Sequence, residues 1–246
     1  MSLSGRRILI TGGTSGIGAE LVSQLTDCGA RVATCGRDPQ RLATVTRRTG
    51  ALGWAGDLAD PTWCASLVHD TAEALGGLDI VIANAAVQHQ QWFTDDWSAE
   101  RAAAVVGEVQ VNLVAPVVLA GAAVPHLRRS AGRFVAVSSA LGYSPKKSAP
   151  VYCASKAGLG VFLKALRYQM QDDRSGVTVQ EVVLPLVATP MTAGRNEGAM
   201  PAGVAAAQIV RGLRRRSPVV AVGRARQFRA IQRVAPGVAD AILRNA

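Results

Sequence analysis

A chain of 246 residues that is 49% hydrophobic can build one large core, and α/β folds of about 200 to 250 residues commonly form a single unit. No apolar run reaches the about 18 residues that a membrane-spanning helix requires, and the N-terminus lacks the apolar stretch of a signal peptide, so a cytoplasmic protein is expected. The net charge of +10 is unevenly placed: residues 211–246 hold nine Arg and one Asp, a surplus of +8, which leaves the first 210 residues with about +2.

Apolar runs rich in Val and Ile alternate with longer segments of helical spacing, the pattern of a parallel sheet wrapped by helices. The expected strands are 6–11, 31–36, 51–56, 78–83, 132–138, 177–184 and 218–222. The expected helices are 16–28, 39–48, 60–75, 98–128, 151–172 and 203–215. Right-handed crossovers put helices on both faces of a doubly wound, seven-stranded sheet and place ligands at the carboxyl ends of its strands. No repeat, low-complexity segment or linker divides residues 1–246. Cys28, Cys35, Cys64 and Cys153 have no metal-ligand spacing and read as reduced, buried thiols.

The first expected strand runs into Thr11-Gly12-Gly13-Thr14-Ser15-Gly16-Ile17-Gly18, and a helical pattern follows from Ala19. In a strand–turn–helix context such glycines let the backbone turn tightly and approach a pyrophosphate, which then sits on the free N–H groups at the positive end of the helix. The second strand ends at Cys35-Gly36-Arg37. An acidic residue there would bind an adenosine ribose and repel a 2′-phosphate, whereas an Arg pairs with that phosphate, so NADP(H) is favoured over NAD(H). Asp38, beside Arg37, keeps open the alternative of a solvated loop charge.

Tyr152 and Lys156 are four residues apart on an expected helix and therefore share one face. An ammonium beside a phenol favours the phenolate and lowers a pKa that is otherwise about 10, which yields a proton donor usable near neutral pH.

With Asp57-Leu58, Asn84-Ala85-Ala86, Asn112, Ser139 and the Pro185 to Thr189 segment in the same order, the chain resembles the short-chain dehydrogenase/reductase family along nearly its whole length. Ala86-Val87-Gln88, Phe93-Thr94-Asp95 and Leu166-Arg167-Tyr168-Gln169-Met170 resemble its DltE-like bacterial oxidoreductases most. The resemblance implies a single NAD(P)-binding Rossmann domain that moves a hydride between nicotinamide and a carbonyl or secondary alcohol. It assigns proton transfer to Tyr152, positioning of the substrate oxygen to Ser139, and the nicotinamide ribose to Lys156. It implies that Asn112 bends its helix and holds a relay water. Gly12, Thr14, Ser15, Gly16, Ile17 and Gly18 then cradle the pyrophosphate, Asp57 and Leu58 flank the adenine, and Asn84, Ala85 and Ala86 support the central strand. Pro185, Val187 and Thr189 meet the nicotinamide.

The substrate side is expected from Ser139, Tyr152, Gln88, Tyr143 and Met191, under a lid at 185–205 that includes the Gly194 to Pro201 loop. Leu186 stands where the family usually has glycine, which restricts the backbone there. His89 reads as a surface loop residue. Lys146 and Lys147 read either as partners of a polar or anionic substrate or as a solvated loop. The basic tail, 223–246, opens with an amphipathic segment in which Arg224, Arg226, Arg229 and Arg233 alternate with Phe228, Ile231 and Val234. It is expected to fold over the lid or a neighbouring subunit, with a membrane surface or nucleic acid as the less favoured contacts. Two alternatives to the enzyme stay open, a catalytically silent NADP(H) sensor or scaffold and a membrane- or nucleic-acid-associated protein. Apolar residues beyond what one sheet face covers, among them Val117, Val161 and Phe162, lead to the expectation of a homodimer or homotetramer.

Overall fold

The structure, a computed structural model, describes residues 2–194 and 197–245. Strands β1 (Arg7–Thr11), β2 (Arg31–Gly36), β3 (Leu52–Ala55), β4 (Ile80–Ala83), β5 (Arg133–Ser139) and β6 (Thr178–Leu184) appear where hydropathy places them. A short pair follows, β7 (Val187–Ala188) and β8 (Met200–Pro201), and then β9 (Val219–Ala221). The main sheet is parallel throughout, in the order β3-β2-β1-β4-β5-β6-β9. The order reverses between β1 and β4, which opens a crevice at their carboxyl ends.

Strand alternation divides the interior into two cores. Ile8 and Ile10 face one side with Leu21, Leu25 and Ile209, while Leu9 faces the other with Leu67, Leu119 and Leu163. Helices α1 (Gly16–Asp27) and α7 (Ala202–Leu213) cover the first side; α3 (Pro61–Leu75), α5 (Ala115–Ser130) and α6 (Pro150–Asp173) cover the second. Covered on both faces, β4 and β5 are buried along their whole length, so they read in sequence as nearly continuous apolar runs. Helix α2 (Pro39–Thr49) starts where Asp38 accepts hydrogen bonds from the Gln40 and Arg41 amides, with Pro39 fixing the first turn.

The helix expected at 98–128 is a continuous run with an inserted π turn: α4 (Ala99–Val109), the π turn Gln110–Val114, then α5. Its 32 residues, with a stretch of mean hydropathy 1.8, are long and apolar enough by length and composition to cross a membrane, contrary to the expectation that no segment is. In this fold Leu119, Ala123 and Leu127 of α5 pack into the core beneath the sheet. Val106 and Val117 stay exposed on its outer face, as do Val161 and Tyr168 on α6.

The tail forms two helices, α8 (Ala225–Val234), as its amphipathic spacing predicts, and α9 (Pro236–Leu243), which sequence reading did not place. They enclose a third, small core of Phe228, Ala239 and Ala140, with Tyr143, Ile231 and Leu243 packed against it.

Candidate active site

A cleft of about 860 Å³ opens at the carboxyl ends of the strands. Its adenine end is mostly backbone. The first turn of α1 carries no side-chain cap on Ser15, which leaves its amides available to a ligand. Gly12 has φ +70°, and a Cβ there would come within 2.9 Å of Ala85. A Cβ on Gly18 would overlap the Gly12 carbonyl, so the turn and the helix can meet this closely only without side chains. Thr11 Oγ accepts from the amides of Asn84 (3.0 Å) and Ala85 (3.1 Å), and Asn84 Nδ2 donates back to the Thr11 carbonyl at 3.0 Å. These bonds join β1 to β4 across the switch point.

Thr14, Ser15, Gly16 and Ile17 line this end together with Arg37, Asp57, Leu58 and Ala86. Asp38 is spent on capping α2 and on an ion pair with Arg41 at 3.2 Å. Among the described residues Arg37 has no ion-pair partner, and its guanidinium is exposed at the rim.

At the other end, Tyr152 and Lys156 project from the first turns of α6, with Lys156 Nζ 5.7 Å from the centre of the Tyr152 ring. Lys156 is buried and donates to the Val137 carbonyl at 3.0 Å. Burial pushes its ammonium down to about 8, against the opposing pull of Glu108. Ser139 ends β5 and its Oγ accepts from the Leu141 amide at 3.1 Å. Ser138 also lines the cleft, but its hydroxyl is enclosed and has no hydrogen-bond partner among the described residues.

Asn112 lies in the π turn, fully buried, and does not line the cleft. Its Oδ1 accepts from the Val87 amide (2.9 Å), and its Nδ2 donates to the Val87 carbonyl (2.8 Å) and to Ser155 Oγ (3.3 Å). It thereby fixes the loop after β4 against the helix that carries Tyr152 and Lys156. One turn earlier sits Glu108, which sequence reading passed over. It is completely buried, and Gln91 Nε2 donates to one of its oxygens at 3.5 Å. Its other oxygen has no partner among the described residues, and burial pushes the carboxyl up to about 7. An isolated acid in an Ala- and Val-rich helix, one turn before Asn112, was the available signal.

Gln88, Met191, Pro185, Val187 and Thr189 all line the cleft. Tyr143 does not: its hydroxyl donates to Glu181 (3.0 Å to one oxygen, 3.1 Å to the other), and Arg229 stacks 5.3 Å from its ring. Burial and the Glu181 charge push this phenol up to about 12, so Tyr143 anchors α8 instead of facing a substrate. His89 is exposed, and its backbone amide works against the burial that pushes the Glu108 carboxyl up. The lid is a closed loop. β7 pairs with β8, and Thr192 Oγ donates to the Val187 carbonyl at 2.7 Å while accepting from the Thr189 amide at 3.0 Å. Residues 195 and 196 of the expected lid lie outside the described residues. Leu186, where a glycine was the family expectation, has an ordinary negative φ and is unstrained. The tail lines the same cleft through Arg224, Phe228, Ile231, Ile242 and Leu243, so it folds over the substrate end.

The family model for short chain dehydrogenases matches residues 6–199. The chain is 33% identical to the uncharacterized oxidoreductase DltE of Bacillus subtilis (strain 168), over 77% of this chain and 74% of that protein. It is 30% identical to an L-fucose dehydrogenase of Mus musculus, over 76% and 67% of the two chains. It is 32% identical to 11-beta-hydroxysteroid dehydrogenase-like 2 of Arabidopsis thaliana, of whose length it spans 57%. A crystal structure of a short chain dehydrogenase from Burkholderia cenocepacia J2315 in complex with NADP superimposes with TM-score 0.80 at 26% identity, covering 90% of this chain and 98% of the other. A second structure, of the same description, shares the fold with TM-score 0.86 at 22% identity over 99% of both chains. Matched over most of its length and with the glycine turn and the Ser139, Tyr152 and Lys156 constellation on one cleft, the chain belongs to the short-chain dehydrogenase family of oxidoreductases.

Proposed function

We propose that this protein is an NADP(H)-dependent ketoreductase or alcohol dehydrogenase for a small to medium ketone or secondary alcohol, working in the cytoplasm as a homodimer or homotetramer. The observation that carries the reading is the convergence of Ser139, Tyr152 and Lys156 on the cleft whose far end is the glycine cradle of α1. The residues fit a dinucleotide: Gly12 and Gly18 clear a path for the backbone, the uncapped α1 presents amides to a pyrophosphate, and Arg37 faces a 2′-phosphate with no carboxylate pairing it. The NADP in both Burkholderia structures supports the same choice. When bound, the nicotinamide supplies or accepts the hydride.

The Tyr152 hydroxyl donates its proton to the carbonyl oxygen, and in the reverse direction takes the proton from the alcohol. Because Ser139 Oγ already accepts from the Leu141 amide, its own hydrogen is left to point at the same substrate oxygen and hold it in place. Lys156 holds a positive charge beside the phenol and offers its remaining N–H bonds to the nicotinamide ribose. Asn112 keeps the helix and the β4 loop in register around them. The exposed apolar side chains on α4, α5 and α6 are the surface on which subunits would pair.

The test follows NADPH oxidation by the purified protein with a panel of ketones. At least one ketone should be reduced, with NADPH preferred to NADH. NADPH binding without turnover of any carbonyl would instead favour a sensor.

A further inference from the structure

In the substrate half of the cleft most polar side chains are already committed. Among the described residues that line it, Thr192 Oγ donates to the Val187 carbonyl at 2.7 Å and lies 3.3 Å from Thr189 Oγ, so both threonines serve the lid. Ser138 is 2% exposed and its hydroxyl is enclosed. Gln88 and Lys146 already interact within the protein. Arg224 and Gln227 are exposed to water at the start of α8. With Lys156 assigned to the nicotinamide ribose, Ser139 and Tyr152 are left as the polar pair for a substrate, and both serve one oxygen atom.

The rest of this wall is apolar and comes mainly from two places. The lid supplies Leu186 and Met191; the tail supplies Phe228, Ile231, Ile242 and Leu243. Three of these, Leu186 (44% exposed), Met191 (38%) and Ile242 (52%), keep much of their surface in water although they line a cleft. At Leu186 the usual family glycine would present backbone alone, whereas leucine adds an isobutyl group. An apolar ligand that covers these side chains takes them out of water, and each of its own methylenes buried there is worth about fourfold in affinity. A ligand hydroxyl or carboxylate against the same wall loses its water and gains no partner.

Resting on the oxidoreductase reading of this site, we propose that the substrate is a lipophilic ketone or secondary alcohol with a single polar group. Its one oxygen meets Ser139 and Tyr152, and its alkyl body lies against the lid and the tail helices. Polyols, sugars and oxo acids are thereby disfavoured, because each further polar group would be desolvated without compensation. The tail is then a specificity element, since Phe228, Ile231, Ile242 and Leu243 all belong to it.

The experiment has a turnover arm and a binding arm, both on the full chain. With NADPH, kcat/KM for 2-octanone should exceed that for 2-butanone at least tenfold, a floor for four methylenes at about fourfold each. 7-Hydroxyheptan-2-one and 7-oxooctanoate, similar to 2-octanone in length but polar at the far end, should fall at least about tenfold below it. Leu186→Gln and Ile242→Gln alter exposed positions that the fold does not need to be apolar, and each should cut the octanone-to-butanone ratio at least about threefold. For binding, calorimetry on the NADP⁺-loaded protein should show octanamide, a carbonyl compound that is not a ketone, bound at least about tenfold tighter than butanamide. A flat chain-length series among reduced ketones, or a polar-ended ketone preferred to 2-octanone, overturns the proposal while the oxidoreductase reading stands. A ratio unmoved in both variants overturns it too, and so does equal binding of the two amides. Octanamide preferred to butanamide, with no ketone reduced, supports the apolar site and overturns the oxidoreductase reading alone.

Discussion

The two ends of the cleft are built from different material. The adenine end is made largely of backbone from the turns after β1, β2 and β3, and Thr11 and Asn84 tie the first of these turns to the end of β4. The substrate end is made of long side chains from the loop before α6, the lid and the tail, brought together only by folding. A surface that presents amides constrains sequence tightly, because only certain residues allow the backbone to come so close. A surface that presents side chains tolerates many solutions, so it identifies a chemistry class less directly.

Substitutions at each end should therefore have separable effects. The largest is expected from Tyr152→Phe, which removes one oxygen beside the nicotinamide site. Turnover should fall by about 10² to 10⁴, roughly 3 to 5 kcal/mol in the barrier, with NADPH affinity nearly unchanged. A variant that keeps most of its turnover would leave Ser139 or a water as the proton source. Next, Arg37→Asp replaces the partner of the 2′-phosphate with a repelling carboxylate. Calorimetry should show the preference for NADPH over NADH reversed, by about 2 kcal/mol in relative binding, and an unchanged order would move phosphate recognition elsewhere.

At the other end, Phe228→Ala removes a side chain that both lines the cleft and centres the third core. KM for an apolar ketone should rise about tenfold, close to 1.4 kcal/mol, while the NADPH dissociation constant stays put. A matching loss in NADPH affinity would erase the distinction between the two ends. The smallest effect concerns Glu108, whose carboxyl is pushed up to about 7 by burial. As pH rises from the ordinary carboxyl range, about 4.3, to 7, the unfolded chain gives up a proton that the folded chain retains, so this group costs stability over that window and above it. Glu108→Gln should raise denaturant stability by about 1 kcal/mol at pH 8, since the lost attraction to Lys156 offsets part of the gain, and by nothing measurable at pH 4.5. Equal shifts at both pH values would mean that Glu108 titrates normally.

The same contrast explains what could be read in the sequence. Strands β1, β4 and β5 were legible because burial on both faces demands unbroken apolar runs, and the glycine turn because close approach demands glycine. Tyr152, Lys156 and Ser139 were legible from spacing and resemblance. Tyr143 was not: its position in sequence suits the rim, but its partner Glu181 lies 38 residues away, on β6. Helix α9 is eight residues with Pro236 and Gly237 at its start, too short for helical periodicity to emerge, and it is held by packing on α8 and the β5–α6 loop. The lid strands, β7 and β8, are two residues each and exist only as a pair.

The third core has a consequence for motion. Phe228, Ala239 and Ala140 form a cluster separate from the two that flank the sheet, so α8 and α9 can lift away while the sheet stays folded. Such a unit opens at a fraction of the free energy of global unfolding. Its amides should exchange with deuterium well before those of β4 and β5, and because its inner face is a wall of the cleft, each opening also uncovers the substrate end. A product too bulky for the open mouth of the cleft would leave no faster than this pair of helices lifts.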